Sequence, residues 1–363
     1  MAHPYKTFPD RHFWNRSVSG TPWADVFLNQ PSKFKITNRD RVASAGSCFS
    51  QRISRHLMSI GYNYQVYEAC HPLMAAKATE YGYGVFSCRY GNIYSTRQLR
   101  QLFDEALGIR PPITRLAYLG PAKYIDLMRP NIGETRFGSP QEAQADRLFH
   151  LAQVRRMIEQ MEVFVFTLGL TETWVDRGAN IVYGSHPGVF VEKGNTDAIT
   201  ADNLSHAAVV EDLEYVIALI QRHTRQPNVR LIFTVSPVGL AATHQNNHVL
   251  VSTSYSKAVL RAAVGEVAGG HPHVEYFPSY EIFALSQSFG QFLADDLREV
   301  NPRGVAVAMR AFEDMFVDNT PAAAARPSPL ADQPKELREP STVGSAADVE
   351  CDEVANAFFG KGL

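Results

Sequence analysis

No histidine follows His273 in this 363-residue chain. That absence excludes any mechanism drawing an imidazole base from the C-terminal part of the sequence. No apolar run approaches the ~20 residues needed to span a bilayer, so no membrane span is expected. The opening residues Met1-Ala2-His3-Pro4-Tyr5-Lys6 lack the apolar core of a secretory leader, which makes cytoplasmic residence the default expectation. A net charge of −2 argues against polyanion binding through bulk charge, and so against nucleic acid as a partner. The four cysteines (Cys48, Cys70, Cys88, Cys351) show neither metal-ligand spacing nor a dense disulfide pattern. Neither Gly-x-x-x-x-Gly-Lys-Ser/Thr nor a Gly-x-Gly-x-x-Gly after a strand occurs, so no metal or nucleotide cofactor is implied.

What is present is an alternation of strand and helix patterns. It implies a mostly parallel sheet covered on both faces, an α/β fold of three layers, α/β/α. Strands are expected at 41–46, 62–67, 163–168, 230–236 and 274–277. Val163-Phe164-Val165-Phe166 and the run from Val229 to Val235 are nearly continuous apolar segments, as buried parallel strands are. Helices are expected at 50–60, 95–107, 143–160, 207–223, 252–268 and 303–317, with Asp202, Asn203 and Ser205 offering caps before the fourth. The chain divides into an N-terminal extension over 1–34, one large domain over 35–317 and a tail over 318–363. Segments 108–140 and 175–205, rich in Gly, Pro and aromatics without clear periodicity, read as insertions over the carboxyl edge of the sheet, where ligands bind in such folds. The tail, beginning Pro321-Ala322-Ala323-Ala324-Ala325-Arg326-Pro327, has too little apolar content to offset its ordering entropy and is expected to be disordered. Val354–Phe359 has the composition of a short terminal helix.

One motif carries chemistry. Ala45-Gly46-Ser47-Cys48-Phe49-Ser50 joins the first strand to a helix. Two readings of Ser47 stand side by side. It is a helix N-cap, which serine does well, or it is a nucleophile held where helical N–H groups favour a developing oxyanion. Cys48, one residue further on, reads as a small packing residue. Ser236-Pro237 ends a later strand at the same edge and lines the same region. As a nucleophile Ser236 is disfavoured, because Pro237 removes an N–H donor. Tyr255-Ser256-Lys257 superficially suggests a Ser/Lys pair. Its neighbours Val259 and Leu260 instead place Lys257 on the solvated face of a helix, from which Nζ reaches the edge of the site and holds an anionic substrate.

Gly46-Ser47-Cys48-Phe49-Ser50 resembles the signature of the GSCFA family. Thr167–Trp174, Thr234–Val238 and Tyr276–Glu281 resemble its later blocks, and the likeness covers roughly 35–317. That family in turn resembles the SGNH/GDSL hydrolases, which implies a flavodoxin-like sandwich with their topology and a nucleophilic serine after the first strand. By that resemblance the oxyanion donors are the Ser47 N–H, Gly91 with its neighbour Asn92, and Thr171. Asparagine stands in the SGNH pattern where this chain has Thr171. Gly91-Asn92 is equally a turn pair. Glu172 and Trp174 follow at the strand end, where a carboxylate can bind a sugar hydroxyl and an indole can stack on a sugar. Solvation for Glu172 and core packing for Trp174 are the plain alternatives.

The base is the point of departure. SGNH enzymes place Asp-x-x-His near the end of the domain, and the matching segment here is Asp296-Leu297-Arg298-Glu299. Three repairs are open: Glu299 itself, oriented with Asp296 and raised in pKa by burial; an earlier histidine, His244 or His248, with His71 and His186 weaker; or a degenerate site. The expected function is a serine-dependent O-acyl esterase or O-acyltransferase acting on a small-molecule or glycan ester. The alternative is a carbohydrate-binding or polysaccharide-assembly module that lost its base.

Overall fold

A computed structural model describes residues 3–132, 136–190 and 196–318. The tail beyond Asp318, with Cys351 and the expected terminal helix, lies outside them. In chain order the elements are α1 (Trp14–Ser17), β1 (Val42–Gly46), α2 (Ser50–Ser59), α3 (Thr96–Ala106), β2 (Leu116–Gly120), β3 (Lys123–Asp126), α4 (Pro140–Gln160) and β4 (Val163–Leu168). There follow β5 (Glu172–Asp176), β6 (Ile181–Tyr183), β7 (Ile199–Asn203), α5 (His206–His223), β8 (Arg230–Val235), α6 (Val249–Gly270), β9 (Val274–Phe277), α7 (Ser279–Ala284) and α8 (Pro302–Phe316).

Strands β1, β4, β8 and β9 form a parallel sheet in that order. Strand residues alternate between faces. Ala43, Ala45, Phe164, Phe166, Leu231 and Phe233 pack with α3, α4, α5 and α6 on one side. Val42, Val163, Val165 and Ile232 pack with α2, α7 and α8 on the other. Burial on both faces explains why these strands read as unbroken apolar runs, and the result is a three-layer α/β/α sandwich. Polar caps fix several helix starts. The Ser95 hydroxyl accepts from Gln98 N at 3.2 Å, and that of Ser139, ahead of Pro140, accepts from Glu142 N at 3.1 Å. Ser205 alone of the three anticipated caps serves α5, accepting from Ala208 N, while Asp202 and Asn203 stay in β7. Before the sheet, Trp23, Phe27 and Phe34 pack on the α8 side, and Ile36 bridges Val317.

Two expectations need correction. Segment 62–67 is not a strand. Only Tyr64 bridges β1, at Val42, and by Tyr67 the chain has turned to take its backbone bond from Ser87 O. The two insertions also carry regular structure. β2 and β3 form an antiparallel hairpin, and β6-β5-β7 form an antiparallel sheet leaving the end of β4. These strands, of three to five residues, are too short to show a period in the sequence.

A buried charged network ties these parts together. Glu68 accepts from Arg89 N at 2.7 Å and pairs with His150 Nδ1 at 2.6 Å. Arg129 bonds Asp126 at 2.9 Å and Asp146 at 2.7 Å, and Arg147 bonds both oxygens of Glu105 at 2.9 Å. Burial and the nearby Arg129 and Arg147 outweigh Glu68 and hold the His150 imidazole down to about 4. Burial pushes the Glu68 carboxyl up, but His150, Arg129 and the Arg89 N–H overcome it and keep it at about 2.

Candidate active site

Glycine is required at the end of β1. Gly46 pairs with Thr167 and has φ +135°, and a Cβ there would lie 2.4 Å from Thr167 O. This close approach brings Ser47 over the carboxyl end of the sheet. Ser47 does not cap α2: the cap position belongs to Phe49, with no side-chain bond. Its hydroxyl is buried, with the residue 2 % exposed, and meets no protein hydrogen-bond partner. Buried hydroxyls are nearly always bonded, so one that is not calls for a specific explanation.

Ser47 lines a cavity of about 10 Å³, room for about one water molecule. Ser47, Cys48, Tyr94, Gly169, Ser236, Lys257 and Arg298 are among its lining residues. Tyr94 O accepts from Gly169 N and Leu170 N, which sets the turn after β4 against the serine. A Cβ on Gly169 would lie 3.2 Å from Ser47 Cβ. Lys257 is not solvated, as its neighbours suggested. It is 1 % exposed, and Nζ donates to Gly169 O at 2.6 Å. Ser256 beside it accepts from Thr171 N at 2.9 Å, so α6 clasps the 169–171 turn with two adjacent side chains. Lys257 falls in line with Leu260, Val264 and Ala268, three, seven and eleven residues on, all buried. That spacing is the sequence signal for its burial. Arg298 roofs the cavity, donating from Nε to Gly239 O at 3.0 Å and pairing with Glu299.

The remaining site residues are placed as follows. Ser236 lines the cavity, and its Oγ accepts from Val238 N at 3.3 Å. The oxyanion donors need correction. Ser47 N donates to Thr167 O at 3.1 Å as part of the sheet, and Thr171 Oγ1 donates to Asn203 Oδ1 at 2.6 Å. Both donors are engaged because the chain continues the β1–β4 and β5–β7 pairings past the strand ends. Gly91, at φ +68°, makes the turn that Gly-Asn pairs favour and approaches Asn131 O. Asn92 is buried beside it, with its carbonyl accepting from Gln98. Neither lines the cavity.

Nor do the anticipated bases. Asp296 is exposed and accepts from the N–H groups of Arg298 and Glu299, folding the turn in which Leu297 takes φ +56°. Glu299 faces Arg298. His248 is an exposed cap on α6, accepting from Leu250 N at 3.2 Å, and His71 caps a short turn in the same way. Glu172 holds the loop after β8: it accepts from Thr243 Oγ1 at 2.5 Å and His244 N at 2.9 Å. Trp174 sits between His186 and His244, with ring centroids 4.6 and 5.1 Å away. Desolvation first, then His244, lowers the pKa of His186.

A larger cavity, about 420 Å³, lies by Val229 and Arg230 at the amino end of β8. Its lining offers no serine, cysteine or carboxylate, and sheets of this kind bind ligands at the other end. Among the described residues no group of three or more His, Cys, Asp or Glu is placed to hold a metal, and no helix is long and apolar enough to cross a membrane. No curated protein matches the sequence. The family model for GSCFA matches residues 41–312, three quarters of the chain, and the protein belongs to the GSCFA family.

Proposed function

We propose that the protein is a serine-dependent O-acyl esterase or O-acyltransferase, with Ser47 as nucleophile and a carbohydrate ester as substrate. The observation that carries this reading is the buried, unbonded Ser47 hydroxyl at the carboxyl end of β1, facing a cavity beside an amine. A hydroxyl left without a protein partner is poised to act on something that enters. The start of α2 follows directly, and its dipole favours the negative charge that develops when an ester carbonyl is attacked. The carbohydrate substrate rests on the resemblance to SGNH enzymes. Transfer follows in place of hydrolysis when the acceptor is a sugar hydroxyl.

The cavity has room for about one water molecule, so an ester substrate requires it to widen. The segment Val238-Gly239-Leu240, bonded to Arg298 through Gly239 O, lines one side of it. The same small volume favours a second reading, a binding module without turnover. A fluorophosphonate probe separates the two. Labelling at Ser47 that disappears in Ser47→Ala supports the enzyme, and no labelling between pH 6 and 9 supports the binding module.

A further inference from the structure

We infer that Lys257 is the proton acceptor for Ser47, in place of the imidazole that this chain lacks at the end of the domain. The inference rests on the serine-dependent reading above. Four observations carry it. Lys257 and Ser47 line one small cavity. The lysine side chain is buried along its whole length. Its Nζ is held on the carbonyl of Gly169, where an added Cβ would lie 3.2 Å from Ser47 Cβ. Asp296, Glu299 and His248 stand outside the lining.

Burial disfavours an ammonium, and so does a guanidinium close by, which is how lysine becomes a base. The other ionisable groups lining the cavity are Cys48 ahead of α2, Tyr94 ahead of α3 and Arg298 ahead of α8. Arg298 adds like charge, which its pairing with Glu299 offsets, so burial is the main influence. In the structure Nζ donates to Gly169 O and is not bonded to Ser47 Oγ. Rotation about the last bonds of the lysine chain carries Nζ off the carbonyl.

The step balances without a co-reactant. The Ser47 proton passes to the Nζ lone pair as the Oγ–C bond forms at the acyl carbon. The ester C–O bond then breaks, and the ammonium returns the proton to the leaving alkoxide. In the second half, water or an acceptor hydroxyl gives its proton to Nζ and takes the acyl group, and Ser47 Oγ recovers a proton from the ammonium.

The test uses the full chain and the rate of fluorophosphonate labelling at Ser47 from pH 6 to 10. Lys257→Met is expected to slow labelling by about 100-fold or more, the usual contribution of a general base, and to remove the limb that rises with pH. Lys257→Arg keeps the charge but cannot give up its proton, so it is expected to be equally slow. Lys257→Ala is expected to recover rate with added methylamine or ethylamine, more with the more basic amine. Circular dichroism reports folding, and where the Met variant fails to fold, the Arg variant and the amine rescue decide. Labelling of Lys257→Arg within threefold of wild type, or no amine rescue, overturns the inference and leaves Lys257 a structural or electrostatic group. Undiminished labelling of Ser47→Ala instead sinks the serine reading on which it rests.

Discussion

Gly46→Ala tests whether the site is built by the approach of β1 to β4. The added methyl would meet Thr167 O at 2.4 Å, Thr167 N at 2.7 Å and Thr167 Cα at 2.9 Å. All three are backbone, so no side chain can move aside. The φ of +135° is a second obstacle, because a Cβ at that angle strains the chain whatever the space. Strain of this kind costs about 1–3 kcal/mol, and overpacking a closed interior costs about 1–3 kcal/mol. A loss near 4 kcal/mol is expected, a large part of the ~5–15 kcal/mol that holds most domains folded. Urea unfolding followed by circular dichroism measures it, with the slope compared to wild type to check that the transition remains two-state. Probe labelling at Ser47 should fall as well, since the Ser47 N to Thr167 O bond is broken by the same separation. Gly269→Ala in α6 is the control. Nothing lies within 4 Å of its would-be Cβ, and the substitution should be neutral or stabilising by up to about 1 kcal/mol. A loss below about 1 kcal/mol for Gly46→Ala, with labelling unchanged, would refute the argument that the β1–β4 contact positions the serine.

The buried His150–Glu68 pair predicts acid sensitivity. His150 lies at about 4 when folded against 6.5 unfolded, so its contribution is present above pH 6.5 and lost as pH falls toward 4. Glu68, at about 2 against 4.5, acts in the same direction, with stability lost from pH 4.5 downward. The His150 part is of order 3 kcal/mol, and an NMR titration showing the His150 ring protonating near pH 6.5 would contradict it. Thr171→Val removes the hydroxyl bonded to Asn203 and should cost about 1 kcal/mol with labelling within twofold of wild type; a tenfold slower rate would return Thr171 to the oxyanion.

The fold was legible because its signals are local and repeated. Val163–Leu168 and Arg230–Val235 are buried on both faces, so they show as apolar runs, and the helices between them carry wide apolar stripes and polar caps. The insertions were not legible. Their strands pair with neighbours that are not fixed by period: β5 lies between β6 and β7, and β7 begins only at Ile199, well beyond the end of β6 at Tyr183. Segment 62–67 failed for the opposite reason. Its apolar residues Tyr62, Tyr64 and Tyr67 are buried as strand residues are, but their packing, and the hydroxyl bonds of Tyr62 to Ile36 O and of Tyr64 with Ser44 Oγ at 2.7 Å, do not need a ladder.

The site divides along the same line. The place of Gly46 and Ser47 was legible because the apolar run before them and the helical spacing after them put the pair at the carboxyl end of β1. The group that would act on Ser47 was not, because nothing adjacent in sequence specifies it. A search for a base near the end of the domain fixes on Asp296 and Glu299, yet these two carboxylates hold a turn and an arginine over the cavity. The cavity is reached instead from α6, whose first turns cross the carboxyl end of β4 and place Ser256 and Lys257 on Thr171 N and Gly169 O. Both are polar residues at positions where the helix stripe calls for apolar ones. A lysine in the buried stripe of an α/β helix contradicts the local rule, and such contradictions are expected where a structure serves function instead of stability. Removing the charge while keeping the volume separates the two. If Lys257 only clasps the turn after β4, Lys257→Met should lose about 1–3 kcal/mol, because Gly169 O is left without its donor, and labelling should not change. If it serves Ser47, the same variant should also lose reactivity. A Met variant that labels at the wild-type rate would leave the lysine a structural group only.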